Sequence, residues 1–204
     1  MVRKFKYFID YDKEEKWLTE MAKKGYQLID TSFGYKFRFT KPEEATIKID
    51  YRTFKHQEDF IDYCTLFEDS GWQHIVGKKN SGPQYFKKID KDSDDDIFSD
   101  KISKAGKYKR LSKMFIELAI CFLPLFVAMI ATEVIDLDII LNPKLLYLTP
   151  QLWDMNGELF WKAFIFETPF ALLRALGSLF IPLCIASFLF ISYRAQKLYK
   201  KNTN

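Results

Sequence analysis

Histidine is nearly absent from this chain: His56 and His74 are the only two among 204 residues, and neither sits in a recognisable catalytic or metal-binding motif. Nucleophilic catalysis needs a base beside its serine or cysteine, so this scarcity removes most triad arrangements. Cysteine is rare as well. Cys64, Cys121 and Cys184 show no CxxC spacing, and a zinc site assembled from Cys64, His56 and His74 would lack the usual ligand pairs. Disulfides are not expected either, with Cys64 on an apolar helical stripe where a packed, inert thiol fits best. The eight glycines supply no GxGxxG and no GxxxxGK(S/T) run, and HExxH is missing. No catalytic, cofactor or metal residue is left to name, and the chain reads as a non-enzyme.

Charge is missing too, but only locally. Met114 to Thr132 carries Glu117 as its single charge, and Ala175 to Tyr193 carries none. At 1.5 Å per residue these windows match a hydrocarbon core about 30 Å thick, so both are expected to be transmembrane helices. Buried helices of a soluble protein normally keep a polar face, which the second window lacks. Pro124, Pro182 and Gly177 are tolerated inside spans.

The flanks predict orientation. Lys101 to Lys113 holds six basic residues and no acid, and Arg194, Lys197, Lys200 and Lys201 follow the second window. The connection 133–168 holds Glu133, Asp136, Asp138, Asp154, Glu158 and Glu167 against Lys144 and Lys162. Basic residues stay on the cytoplasmic side, so both termini are expected there, in a multi-pass protein of the cell membrane. The N-terminus has no apolar core for a signal peptide, which leaves targeting to the first span. Lys109, Arg110, Lys113, Arg174, Arg194 and Lys197 are expected at the headgroups, and Glu117 pairs with Lys113 or snorkels. Trp153 and Trp161 lie in two short apolar segments, IILNPKLLYLTPQLW and LFWKAFIF. These segments either lie in the outer interface or contact another membrane protein.

The polar half repeats itself. GYQLI at Gly25 returns as GWQHI at Gly71, each after a charged helical run, and IDY occurs at Ile9 and at Ile49. KFKYFIDY alternates like a strand, Asp12 with Glu15 reads as a capping box, and the run from Lys13 to Lys24 stripes Trp17, Leu18, Met21 and Ala22. Strands are expected at 26–31 and 35–40. The second pass offers a strand at 45–54, a helix from about Gln57 to Ser70 burying Phe60, Ile61, Cys64 and Phe67, and strands at 72–77 and 84–89. This predicts a duplicated strand-helix-strand-strand unit over residues 1–89. One antiparallel sheet would carry both helices on one face, a ferredoxin-like α+β domain.

With the helices covering Ile9, Tyr11, Ile49 and Tyr51, the opposite face would present Phe8, Asp10, Lys48, Asp50 and Arg52. Such a face is either solvated or a docking surface for a protein or a second copy of the domain. Asp10 and Asp50 could form a carboxylate pair, but repetition explains them without catalysis. Residues 90–110 read as a charged linker: six aspartates between Asp90 and Asp100 make a flexible tether, and the basic run beyond hugs anionic headgroups. The membrane hairpin would fill 111–204.

FIDYDKEEKWLTEMAKKGYQLI, an aromatic strand, IDYR, FEDSGWQHI and a closing QYFKK together resemble a family of bacterial membrane proteins known as domain of unknown function 2812, over about residues 1–90. Its hallmarks are Glu15, Trp17, Leu18, Met21, Gly25, Phe33 and Gly34, then Phe67, Gly71, Trp72 and Tyr85. The resemblance implies a cytosolic domain joined to a few spans, in some cases beside PadR-type regulators, and brings no catalytic set. The expectation is a membrane-anchored cytosolic regulatory or protein-interaction module in signalling or transport control. It would touch lipid and a cytosolic or membrane protein, but not nucleic acid directly. The alternative is an accessory or immunity-type membrane protein whose spans and outer loop carry the function.

Overall fold

In the computed structural model, which describes residues 1–133, 135 and 138–203, two stretches of the polar half share one order of elements. The first unit runs β1 (Val2–Lys4), α1 (Tyr11–Lys23), β2 (Tyr26–Asp30) and β3 (Tyr35–Phe39); the second runs β4 (Ile47–Tyr51), α2 (Gln57–Asp69), β5 (Trp72–Val76) and β6 (Pro83–Lys88). Helix α2 starts 46 residues after α1 (57 against 11), and β5 starts 46 after β2 (72 against 26). Each unit forms an antiparallel three-stranded sheet with its third strand in the middle, β1-β3-β2 and β4-β6-β5.

The repeated pentapeptide is a helix stop followed by a bulged strand. Gly25 (φ +78°) and Gly71 (φ +83°) adopt the left-handed conformation just past α1 and α2. Their N–H groups bond back to Ala22 O (2.9 Å) and Glu68 O (3.0 Å). Pairing with the central strand then slips between Leu28 and Asp30 in β2, and between His74 and Val76 in β5, leaving Ile29 and Ile75 as the extra residues.

The single shared sheet does not form. β2 and β5 approach each other, but each pairs only with its own central strand among the described residues, and both are bulged, which twists an edge away from further pairing. Nor do both helices lie on one face. Tyr85 of β6 donates to Glu14 of α1, whereas its neighbour Phe86 packs on Tyr63 and Phe67 of α2. Consecutive strand residues point to opposite faces, so β4-β6-β5 is covered by α1 on one side and α2 on the other. Helix α1 also meets the first sheet, with Trp17 edge-on to Tyr35 at 4.8 Å and Phe37 at 5.8 Å. Buried between two sheets, it hides Tyr11, Glu14 and Glu15 as well as Leu18, Met21 and Ala22.

Four local expectations also change. KFKYFIDY is not a strand: β1 stops at Lys4, and Phe5 and Tyr7 are about 70% exposed. The two IDY triplets are not counterparts, because Ile9-Asp10-Tyr11 abuts α1 whereas Ile49-Asp50-Tyr51 closes β4. The cap of α1 is Asp10, which accepts from Asp12 N (3.1 Å) and Lys13 N (3.4 Å), not Asp12. In α2 the buried side chain is Tyr63, while Ile61 is 53% exposed.

The acidic stretch is tied down rather than a free tether. Asp95 pairs with Lys88 (2.9 Å), Asp96 with Lys104 (2.6 Å) and Lys48 (3.5 Å), and Ile97 packs against the Tyr63, Trp72 and Phe86 core. Helix α3 (Lys101–Ala131) begins at once, its first turn held by Asp100 accepting from Ser103 N (2.8 Å) and Oγ (2.7 Å).

The chain divides into two bodies, Met1–Met114 with Ile191–Asn204, and Phe115–Phe190. In the first, Ser112 and Ser192 share a hydroxyl hydrogen bond of 2.8 Å and Ala195 is fully buried, small residues that let two helices approach closely. The second contains the rest of α3, a short helix α4 (Asp138–Leu141), 3₁₀ turns at Pro143–Leu146 and Leu152–Asp154, and most of α5 (Gly157–Thr203). The connection between the two apolar windows, expected over 133–168, is therefore shorter, since LFWKAFIF forms the opening turns of α5; Asp136 lies outside the described residues. Tyr147 stacks on Phe164 (5.1 Å) and meets Trp153 edge-on (5.3 Å), so the connection folds back on α5. The apolar windows of α3 and α5 are only 6% and 17% buried, the opposite of a soluble core helix, and both helices are long and apolar enough to cross a membrane.

Candidate functional site

The most densely bonded polar cluster of the first body forms where the opening turns of α3 meet α1 and β4. Helical spacing sets Lys104, Lys107, Tyr108 and Leu111 on one stripe, and that stripe faces the domain. Lys107 is completely buried, its ammonium 2.9 Å from Glu15 Oε1 and 3.2 Å from Asp12 Oδ1. Tyr108, also completely buried, stacks on Tyr11 at 5.7 Å and donates its hydroxyl to Asp10 Oδ1 at 3.2 Å. Arg110 donates Nε–H to the carbonyl of Tyr51 and Nη2–H to Asp50. Asp50 is 2% exposed and also accepts from Tyr63 Oη (2.9 Å) and Tyr51 N (2.7 Å). Glu15 holds a second element: its Oε1 accepts from Ile49 N at 3.1 Å, closing the outer edge of β4.

Behind this cradle lies Glu14, 2% exposed, with Oε1 accepting from Tyr35 Oη (2.8 Å) and Tyr85 Oη (2.7 Å), one phenol from each sheet. Burial lifts its pKa to about 7; the two phenols and the charge of Lys107 oppose that rise, and the neighbouring Glu15 adds to it. Burial likewise raises Tyr11, Tyr63 and Tyr108, so these phenols remain neutral, and those of Tyr63 and Tyr108 donate to Asp50 and Asp10. Lys104 is raised chiefly by its bond to Asp96.

The five residues expected on one open sheet face do not share one. Phe8 packs on Trp17 (5.5 Å) and Tyr35 (6.2 Å). Asp10 caps α1. Lys48 bridges Glu15 (3.6 Å) and Asp96 (3.5 Å), and Asp50 is enclosed by α2 and α3. Arg52 alone is exposed, its guanidinium over the rings of Phe54 and Tyr63. The face is occupied because α2 covers it, which the assumption of two helices on one side had left open.

Among the residues expected at headgroups, Arg110 is engaged by the domain instead, and Lys109 lies over the Tyr199 ring at 5.9 Å. Lys113, Arg194 and Lys197 are exposed. Arg174 pairs with Glu167 at 2.6 Å and donates to Leu146 O, while Trp153 and Trp161 are 41% and 58% exposed. His74 bonds Gln84 Oε1 at 3.0 Å between Phe60 and Phe86, and burial holds its pKa below the usual value. Cys64 lies against the Tyr63 core, with burial pushing its thiol up. No group of three His, Cys, Asp or Glu side chains able to hold a metal occurs among the described residues.

Sequence reading missed Lys107, Tyr108, Glu14 and Glu15 as one constellation. A signal was present: Glu14 and Glu15 interrupt the stripe Tyr11, Leu18, Met21 and Ala22 at inward positions, and Tyr108 is the aromatic within a basic run. Buried carboxylates require donors, and the basic run supplies them.

The model of the family described as "Protein of unknown function (DUF2812)" matches residues 10–120. The chain belongs to the DUF2812 family. The matched span runs past the second sheet through the acidic stretch and the docked turns of α3, so it takes in the cradle together with the segment it holds. Comparisons with curated proteins and with solved structures returned no match.

Proposed function

We propose that this DUF2812 protein is a membrane-anchored regulatory or protein-interaction module, with its α+β domain and both termini in the cytoplasm. The observation that carries the reading is the docking of Lys107, Tyr108 and Arg110: they belong to the same helix whose later turns form the first apolar window. A cytosolic partner that loosened or tightened this docking would act directly on the segment leading into the membrane. A PadR-type regulator is a candidate partner through the family resemblance alone. The 46-residue offset shared by the helices (57 against 11) and the strands that follow them (72 against 26), together with the common strand order, supports descent of the two units from a duplication.

The reading is tested in whole cells and in membranes. The chain should sediment with membranes and resist alkaline extraction, and protease added outside intact cells should spare residues 1–90. Affinity capture of the full chain from detergent should recover a cytosolic protein whose retention changes with Lys107→Glu. Solubility in plain buffer, external digestion of residues 1–90, or capture indifferent to the substitution would each refute a part of it. The accessory alternative draws on the ordered connection, in which Glu167 accepts from Thr149 Oγ1 (2.9 Å) and Leu148 N (3.3 Å) and binds Arg174. It expects Arg174→Gln to impair function more than Lys107→Glu.

A further inference from the structure

A groove of about 400 Å³ runs between α2, the acidic stretch and the start of α3, with Arg52, Arg110, Tyr63, Phe67, Ile97 and Phe98 among its walls. We propose that this groove binds a phosphomonoester anion carrying an apolar substituent. The inference does not depend on the membrane reading, since every residue it uses belongs to the first body.

The charge arrangement points to an anion. Arg52 is exposed and has no acidic partner among the described residues, yet its guanidinium is oriented by the rings of Phe54 (5.6 Å) and Tyr63 (5.5 Å). Arg110 spends Nε–H on the Tyr51 carbonyl and Nη2–H on Asp50, which fixes its plane. Its Nη1 makes no hydrogen bond among the described residues, and its side chain is 40% exposed. Asp50, the carboxylate lining the groove, is nearly fully buried and already takes three donors. The groove is therefore lined by two guanidinium groups and one carboxylate that already takes three donors, leaving its mouth positive. Asp100, beside it, is occupied by Ser103 N, Ser103 Oγ and Ser99 Oγ.

A planar guanidinium held in place matches the paired oxygens of a phosphate better than a flexible ammonium does. The groove has the size of a small-ligand site, and its aromatic and aliphatic walls suit an organic substituent rather than bare inorganic phosphate. Occupancy would set a second anion beside Arg110, in competition with Asp50, and so would couple ligand to the docking of α3.

The test uses the full chain in detergent, titrated calorimetrically with phenyl phosphate, and the full chain in nanodiscs of phosphatidylcholine with and without phosphatidate. In the nanodiscs the reading is hydrogen-exchange protection of residues 50–54 and 97–103. Binding of phenyl phosphate that weakens about tenfold or more in Arg52→Gln supports a soluble ligand. Protection that requires phosphatidate and is lost in Arg52→Gln supports a lipid headgroup. Arg52 is exposed, so the variant should keep the wild-type circular dichroism and Tm, and Arg52→Lys should bind at intermediate strength. No binding in either arm, or binding that Arg52→Gln leaves unchanged, overturns the proposal. Membrane association, measured by sedimentation, is untouched by either outcome.

Discussion

Two buried residues make the most direct demands on experiment. Glu14 has a folded-state pKa of about 7 against an ordinary 4.5, so the folded chain retains a proton that the unfolded chain releases between those values. Stability should therefore fall as pH rises across that window, by about 3 kcal/mol at most, and stay low above it. Thermal melting of the detergent-solubilised chain should show this slope, and Glu14→Gln, which keeps an acceptor for Tyr35 and Tyr85, should flatten it. An identical slope in the variant would assign the titration elsewhere. Lys107 makes the complementary demand. Lys107→Met fills its volume but leaves Glu15, 8% exposed, without its closest cation, at about 3 kcal/mol, whereas Lys109→Met, two positions further on, should change little. Equal Tm losses from the two substitutions would remove Lys107 from the cradle.

Among the elements, the helix stops show what a sequence carries and what it does not. Gly25 and Gly71 were legible as helix ends, and both are strained positions for any other residue. Their surroundings are closed as well. A Cβ on Gly25 would stand 2.6 Å from the backbone oxygen of Thr40, and on Gly71 it would stand 2.8 Å from the Cβ atoms of Asp90 and Ser93, which move only with their backbone. Gly25→Ala and Gly71→Ala should thus each cost about 2 kcal/mol, a loss that denaturant or thermal melting can read directly. The alternation and stripes in the sequence also located most strands and both domain helices, because those patterns are local. The face on which α2 packs was not local information. Tyr85 and Phe86 are both aromatic, so nothing in the strand says that one meets α1 and the other α2. Asp50 looked exposed for the same reason, as its partners Tyr63 and Arg110 lie 13 and 60 positions away. IDY misled in the opposite direction, since three shared letters outweighed the spacing to the following helix.

For the whole molecule, the decisive question is whether the charged run before the first apolar window belongs to the lipid surface or to the domain. A basic collar gains about 1 kcal/mol per residue from anionic headgroups, and that sum rivals what the cradle provides at a partly exposed pair such as Lys104 and Asp96. Buried Lys107 decides for the domain, since leaving Glu15 would strand a carboxylate already sheltered from water. Lys107→Glu combined with Arg110→Glu should therefore expose the segment 90–113 to trypsin and chymotrypsin in detergent while the apolar windows stay protected in membranes. Such a change moves cleavage at specific sites without moving the protein out of the membrane fraction. Trypsin cleaves after lysine or arginine, so Lys101, Lys104 and Lys109 remain available as reporters in the double variant. If those sites are cut equally fast in the wild-type chain, the opening turns of α3 are not held by the domain in solution, and regulation through this segment fails with them.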